Sequence, residues 1–289
     1  MSARPAVGFT GLGAMGAHMA RHLAAKGLLV AVANRTHARA EALAAELGVE
    51  AIADPVELAR RCEVIVTCVT ADADVLALCE AYAAAGHAGL VVVDTSTIAS
   101  TSARRAAQRL RAAGGDFVDA PVSGGVEGAK NGKLSVMAGG DATTLERVRP
   151  VLDAFAARVT HMGDVGAGQD TKAVNQVLVA GIAQAVTEGL ALGQALGLDP
   201  ERLLPTLQAG AANSWFLEKR GATMLRDEFA VGFKLSLLHK DLKIVQGLAR
   251  DAGTDTTVID RALADYARLM AMGHGDDDIS GLIRLKRKR

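Results

Sequence analysis

The amino-acid sequence predicts an α/β domain followed by an all-helical one, and three observations carry that expectation. Short apolar runs alternate with helical patterns from residue 6 to about residue 160, the sign of a parallel sheet covered by helices. After Gly163 the strand-like runs stop, and the remaining segments carry helical spacing alone. The length, 289 residues, corresponds to about two domains at roughly 150 residues each.

The candidate strands are residues 6–9, 28–33, 64–69, 90–94, 116–119, 134–138 and 158–162. Between them lie Ala-rich segments such as 14–25, 38–46, 55–60, 75–84 and 100–113, each with one polar stripe and therefore expected as a helix on the sheet. In the second half, helices are expected at 168–197, 199–209, 216–225, 235–252 and 257–272. The stretch 171–196 is long for a globular helix and little interrupted by polar residues. It should be buried on more than one side, leave the first domain and form the spine of the second. Asp199-Pro200 then provides a capping residue followed by proline at the first helical position. The boundary is expected near residues 163–166, giving domains at 1–164 and 165–289.

Composition narrows the function. Half the residues are hydrophobic and 22% are charged, enough to bury a sizeable core and far from the balance of a disordered chain. Lys+Arg and Asp+Glu both number 32, so the basic footprint of a nucleic-acid binder is missing. Aromatics at 3% argue against base-stacking surfaces and for a core of small aliphatics between closely approaching helices. The longest uncharged stretch, 173–187, is shorter than the ~20 apolar residues of a membrane helix, so no transmembrane segment is expected. Met1-Ser2-Ala3-Arg4-Pro5 leads straight into strand-like residues, leaving no room for a signal peptide, and a cytoplasmic location is expected. Cys62, Cys68 and Cys79 are odd in number and lack CxxC spacing, which suggests neither a disulfide framework nor a zinc knuckle. The basic end Arg284-Leu285-Lys286-Arg287-Lys288-Arg289 is expected as a solvated terminus, the alternative being a nucleic-acid or localisation signal.

Directly after the first strand stands Gly11-Leu12-Gly13-Ala14-Met15-Gly16, a GxGxxG opening a helix. The first glycine permits a tight turn, the second lets the backbone approach a pyrophosphate, and the third lets helix and strand pack closely. The helix N-terminus adds N–H groups and positive dipole. Together with the alternating strands this predicts a Rossmann dinucleotide-binding domain. At the end of the second strand, where an acidic residue would accept hydrogen bonds from a ribose, the chain has Asn34-Arg35-Thr36. With no carboxylate to repel a 2′-phosphate and a guanidinium to bind it, NADP(H) is favoured and NAD(H) is possible; the alternative is that Arg35 merely stacks on the adenine. Val69, ending the run 64–69, is expected among the cofactor contacts.

Two further strand ends carry Asp94-Thr95-Ser96-Thr97 and Asp119-Ala120-Pro121-Val122-Ser123-Gly124-Gly125. Strand ends of such sheets face the ligand crevice, and a Ser-Gly-Gly turn offers a hydroxyl and open backbone N–H groups to a carboxylate, although a plain turn would look the same. At the domain junction, Lys172 and Asn175 are three apart on a helix and share a face near its N-terminus. There the helix dipole and a cationic neighbour would lower a lysine's pKa; a surface salt-bridging lysine is the bland alternative.

Taken together, these residues resemble the β-hydroxyacid dehydrogenase family, over about residues 7–285 and with four motifs in the family's order. The resemblance matches the family's cofactor signature GxGxMGxxMA at 11–20 and its DxSTI motif at 94–98, which implies that Thr97 approaches the nicotinamide. Ser100 stands where a proline usually follows, so the helix start is expected to differ slightly. The DAPVSGG substrate loop is complete, and GxGxxxKxxN is matched at 166–175, implying Lys172 as the catalytic residue and Asn175 as a substrate ligand. The segment from Phe233-Lys234-Leu235 to His239-Lys240-Asp241-Leu242 implies a place for Lys240 beside cofactor and substrate. The Gly-Gln of the junction and the HKDL wording lean toward tartronate semialdehyde and glyoxylate reductases. Asn-Arg-Thr leans toward NADPH-using glyoxylate/succinic semialdehyde reductases.

The implied reaction is hydride transfer between NADP(H) and a small carboxylate-bearing aldehyde or ketone and its hydroxy acid. Ser123, Gly124 and Gly125 would hold the carboxylate, and Lys172 would exchange the proton. The rivals are an NAD-dependent 3-hydroxyisobutyrate dehydrogenase, an imine reductase, a branch that generally lacks the lysine, and a non-catalytic dinucleotide-binding scaffold. Expected partners are the small anion alone, with no nucleic acid and no membrane, and a second copy or more in a homodimer or homotetramer. His18 and His22 lack a third ligand and are expected to pack rather than bind metal, and Asp276-Asp277-Asp278 is expected as a solvated acidic turn. Trp215-Phe216 and Phe233 could pack in the core or line a substrate pocket.

Overall fold

The computed structural model describes residues 5–287, so the expectations on residues 1–4, and on Lys288 and Arg289 of the basic end, lie outside the described residues. The first part runs β1 (Val7–Thr10), α1 (Gly16–Ala25), β2 (Leu29–Ala33), α2 (His37–Leu47), β3 (Glu50–Ala51) and α3 (Pro55–Arg61). It continues β4 (Val64–Thr67), α4 (Asp72–Ala84), β5 (Val91–Asp94), α5 (Ser100–Ala112) and β6 (Asp116–Asp119). Then come β7 (Val122–Ser123), α6 (Gly125–Lys130), β8 (Leu134–Gly139), α7 (Ala142–Leu152) and β9 (Ala156–Gly163). The helices after it are α8 (Ala167–Ala195), α9 (Pro200–Gln208), α10 (Trp215–Leu225), α11 (Leu235–Asp251), α12 (Thr257–Ala271) and α13 (Ile283–Lys286). A 3₁₀ turn, Ile279–Leu282, precedes the last.

The chain divides into two compact units, one ending at Lys172 and one beginning at Ala173. In the first, the strands of one sheet lie in the order β3-β2-β1-β4-β5-β6-β8-β7, with β9 paired to β8. Strand β1 is parallel to β2 and β4, and β4, β5 and β6 continue parallel. The expected parallel sheet is corrected beyond β6: β8 runs antiparallel to both β6 and β7, because the short connection through α6 returns the chain in the opposite direction. Both faces are buried, with successive residues pointing to opposite sides. Val64, Val66, Val91 and Val93 enter the core shared with α1 and α2, while Ile65 and Val92 enter the one shared with α3, α4 and α5. That double covering explains the short, mostly apolar strand sequences, in which β1, β4 and β5 are polar only at their carboxyl ends.

In the second unit the described elements are helices, and the one strand-like pairing among the described residues is a bridge between Lys234 and Asp278. The helix α8 starts in the first unit and continues into the second; by length and apolar composition it could cross a membrane. One face of it is a core face, where Ala173, Ala180, Ala183 and Leu190 join Leu217, Leu238, Leu242 and Tyr266, while Val174, Leu178 and Leu192 are exposed, which corrects the expectation of burial on more than one side. The caps behave as expected from residue type, Asp199 accepting from Glu201 N and Ser214 from Leu217 N.

Two expectations about charged segments are corrected. Asp278 is buried, not solvated, because its carboxylate accepts from Gly232 N, Phe233 N and Ser280 N and pairs with Arg220. Residues 284–287 of the basic end do not fray. Arg284 pairs with Asp277, the buried Lys286 ammonium with Gln184 and Asp265, and Arg287 with Asp227, so each cation finds an acceptor within the unit.

Candidate active site

The carboxyl ends of β1, β2, β4, β5 and β6 bring the sequence motifs of the first unit to one edge of the sheet, where the strand order reverses about β1. The three glycines after β1 occupy three different environments. Gly11 has φ +97°, and a Cβ there would lie 2.2 Å from Cys68 O. A Cβ on Gly16 would lie 1.9 Å from Gly11 O, so helix and loop touch through backbone. A Cβ on Gly13 would meet nothing within 4 Å: this glycine leaves space open above the loop. That is the shape a dinucleotide pyrophosphate needs, and the residues fit it.

Asn34 tethers this loop to the end of β2: its Oδ1 accepts from Leu12 N at 2.9 Å and its Nδ2 donates to Thr36 O at 3.0 Å. The Arg35 side chain is 92% exposed, its guanidinium 3.9 Å from Asp74. Thr36 is the N-cap residue of α2, without a side-chain cap bond.

At the ends of β4 and β5 the organiser is Asp94, which is fully buried. Its Oδ1 accepts from Thr67 Oγ1 at 2.7 Å, Ser96 Oγ at 2.6 Å and Ser96 N at 3.2 Å. Val69 N in turn donates to Ser96 Oγ at 2.9 Å. The loops bearing Val69 and Thr97 are thereby fastened together. Asp94 Oδ2 is buried without a hydrogen-bond partner, and burial pushes the carboxyl up to about 6 despite the Ser96 and Thr67 bonds that lower it.

Beyond β6, Lys172 is buried and its Nζ donates to Val122 O at 2.8 Å, in the residue before Ser123. The lysine is therefore not a surface side chain. Gly124 (φ +127°) and Gly125 (φ +61°) turn the chain after the half-buried Ser123 into α6. In the second unit, Asn175 Nδ2 donates to Gln176 Oε1 at 2.8 Å and Gln176 Nε2 to Asp241 Oδ2 at 2.6 Å. Lys240 Nζ pairs with Asp241 Oδ1 at 2.9 Å. Asn175 and Lys240 are thus joined through two buried polar residues that the sequence reading did not single out.

Asp94, Asp119, Gln169, Gln176 and Asp241 went unnamed as site residues. Each stands inside or beside a motif that was read, and only a count of buried polar groups marks them out. Other expected features have the following surroundings. His22 Nε2 bonds the carbonyls of Ala129 and Lys130, Phe216 is buried in the second core, and Trp215 is half-exposed. Cys62, Cys68 and Cys79 are free thiols, each pushed upward in pKa by burial.

Residues 6–163 match the profile of the NAD-binding domain of 6-phosphogluconate dehydrogenase, and residues 166–286 that of the NAD-binding domain of NADP-dependent 3-hydroxyisobutyrate dehydrogenase. An uncharacterised oxidoreductase of Shewanella frigidimarina is 39% identical over 98% of this chain and 99% of its own length. The 2-hydroxy-3-oxopropionate reductase of Escherichia coli is 36% identical over 82% of each chain. Among solved structures, the 3-hydroxyisobutyrate dehydrogenase of Mycobacterium tuberculosis with L-serine superposes with a TM-score of 0.89 at 31% identity, covering 99% of this chain and 100% of that one.

Proposed function

The chain belongs to the β-hydroxyacid dehydrogenase family of nicotinamide-dependent oxidoreductases, and from that premise we propose that it is an NADP(H)-preferring reductase of a small carboxylate-bearing aldehyde. Substrates of the glyoxylate, succinic semialdehyde or tartronate semialdehyde type fit the proposal. The observation that carries it is the buried Lys172 ammonium held against the backbone of the Ser-Gly-Gly loop. A cation at that place serves a small anion and the oxygen of its carbonyl group.

The bound nicotinamide supplies or takes up the hydride. Gly11, Leu12, Gly13, Ala14, Met15 and Gly16 would hold the pyrophosphate, Val69 would contact the cofactor, and Thr97 would approach the nicotinamide. The exposed guanidinium of Arg35, with Asn34 and Thr36 beside it and its nearby carboxylate, Asp74 of α4, no closer than 3.9 Å, supports binding of a 2′-phosphate. Ser123, Gly124 and Gly125 hold the substrate carboxylate through a hydroxyl and backbone N–H groups. Lys172 polarises the carbonyl oxygen and, on reduction, donates the proton that turns the developing alkoxide into an alcohol; in oxidation it accepts that proton. Asn175 orients the carbon chain, and Lys240 adds positive charge.

The relatives' names include an oxopropionate reductase and 3-hydroxyisobutyrate dehydrogenases among several substrates, and an NAD-dependent 3-hydroxyisobutyrate enzyme is the second reading. A panel of glyoxylate, succinic, tartronate and methylmalonate semialdehydes with NADPH and with NADH separates the two. In that panel Lys172→Ala is expected to bind NADPH nearly as wild type and to lose about a hundredfold or more in kcat; near-wild-type turnover refutes the lysine's role. The proposal places the enzyme in the cytoplasm as a homodimer or homotetramer. The exposed Val174, Leu178 and Leu192 along α8 support association of copies, which light scattering measures.

A further inference from the structure

We propose that Asp119 is the positioning residue for Lys172, acting through the first turn of the helix that carries the lysine. The inference rests on the reading above, in which Lys172 exchanges the proton. Asp119 ends β6 and is completely buried. Its Oδ1 accepts from Gly166 N at 2.8 Å and its Oδ2 from Gln169 N at 2.9 Å, two amides at the start of α8. Lys172 lies three residues beyond Gln169, less than one helical turn. A carboxylate gripping the N-terminal amides of a helix has both favourable charge and two charge-assisted hydrogen bonds.

The seat is closely packed through backbone. A Cβ on Gly168 would lie 2.4 Å from Met137 O and 2.8 Å from Asp119 O. One on Gly139 would lie 2.6 Å from Asp119 Oδ1. Gln169 fixes the same turn from a second side, its Nε2 donating to Ser96 O at 2.8 Å and its Oε1 accepting from Ile98 N at 3.2 Å. The turn before Lys172 is thus tied by Asp119 to the strand that leads into the substrate loop, and by Gln169 to the loop that carries Thr97. Moving it by a fraction of a residue moves the ammonium relative to both.

The grip depends on ionisation. Burial pushes Asp119 up to about 6 against the two amide bonds that lower it. Once protonated, one of its oxygens carries a hydrogen and is a poor acceptor, so one of the two amides loses its bond. The charged groups around this turn are Asp94 at the end of β5, Asp170 and Lys172 on α8, and Arg104 of α5, which pairs with Asp170 at 3.1 Å.

The test measures kcat, KM and NADPH affinity between about pH 5 and 9 for wild type, Lys172→Ala and Asp119→Asn. Asp119→Asn, which leaves an amide N–H facing one backbone N–H, is expected to lower kcat about tenfold or more with NADPH affinity within about twofold of wild type. Its kcat profile is expected to lack the acidic fall near pH 6 that the wild type shows. If Asp119→Asn does not fold, Asp94→Asn, which removes the other carboxyl pushed up to about 6, decides: kcat in that variant that holds level to pH 5 while NADPH stays bound overturns the proposal. Inactive Lys172→Ala combined with wild-type kcat and pH profile in Asp119→Asn refutes the positioning role and leaves the lysine's role standing. Active Lys172→Ala removes the lysine's role itself.

Discussion

Replacing Asp94 with Asn isolates the cost of one buried charge. The substitution keeps Oδ1 for the Thr67 and Ser96 donors and puts Nδ2 where Oδ2 already lacks a partner, so the fold around it changes little. In the wild type, burial first of all raises the carboxyl from 3.8 to about 6. A raised acid binds its proton more tightly folded than unfolded. Its contribution to stability is therefore fully present below the unfolded value and is lost as pH rises through about 6. For a single site, the difference between pH 5 and pH 7.5 comes to about 1 kcal/mol. Urea unfolding of the apoprotein at the two pH values, followed by circular dichroism with Trp215 fluorescence as the check for coincident transitions, measures it. Wild type is expected to lose about 1 kcal/mol more than Asp94→Asn between pH 5 and pH 7.5. Equal losses in the two proteins would show that the buried carboxyl does not titrate in this range.

The glycine loop separates packing from ligand access. Gly16→Ala forces a Cβ against Gly11 O and should cost at least 1–3 kcal/mol of stability, roughly the overpacking range. Gly13→Ala meets open space; it should melt as wild type but bind NADPH about tenfold more weakly, and equal NADPH affinity would mean that no pyrophosphate lies over Gly13. Arg35→Asp should lower the NADPH-to-NADH ratio of kcat/KM by about tenfold or more, since a guanidinium–phosphate pair becomes a repulsion; an unchanged ratio would count against a 2′-phosphate at this strand end.

Much of the first unit was legible because its signals are local. A strand buried on both faces is mostly apolar along its length, and β1, β4 and β5 announce themselves as such runs, each closed by one polar residue at its carboxyl end. The loop Gly11 to Gly16 is legible because each glycine answers a steric demand of its immediate neighbours. By contrast β3 and β7 have two residues each, too few to show any period, and they were not anticipated. The reversed direction of β8 was missed because pairing direction is set by how the chain returns, not by the strand's own residues.

The residues themselves fixed the alternation of strands and helices and the dinucleotide loop, which follow from steric and periodic rules acting within a few residues, while the role of Lys172 was legible only as what the family resemblance implies. Only the tertiary structure decided that Asp119 caps the helix bearing Lys172 and that Gln169 reaches the loop after β5, since these partners lie 47 to 73 positions apart. It also buried Asp278 and the ammonium of Lys286, where an acidic turn and a basic end looked solvated. A charged side chain's environment is set by which distant donors or acceptors the fold delivers to it. That information resides in no local stretch of sequence.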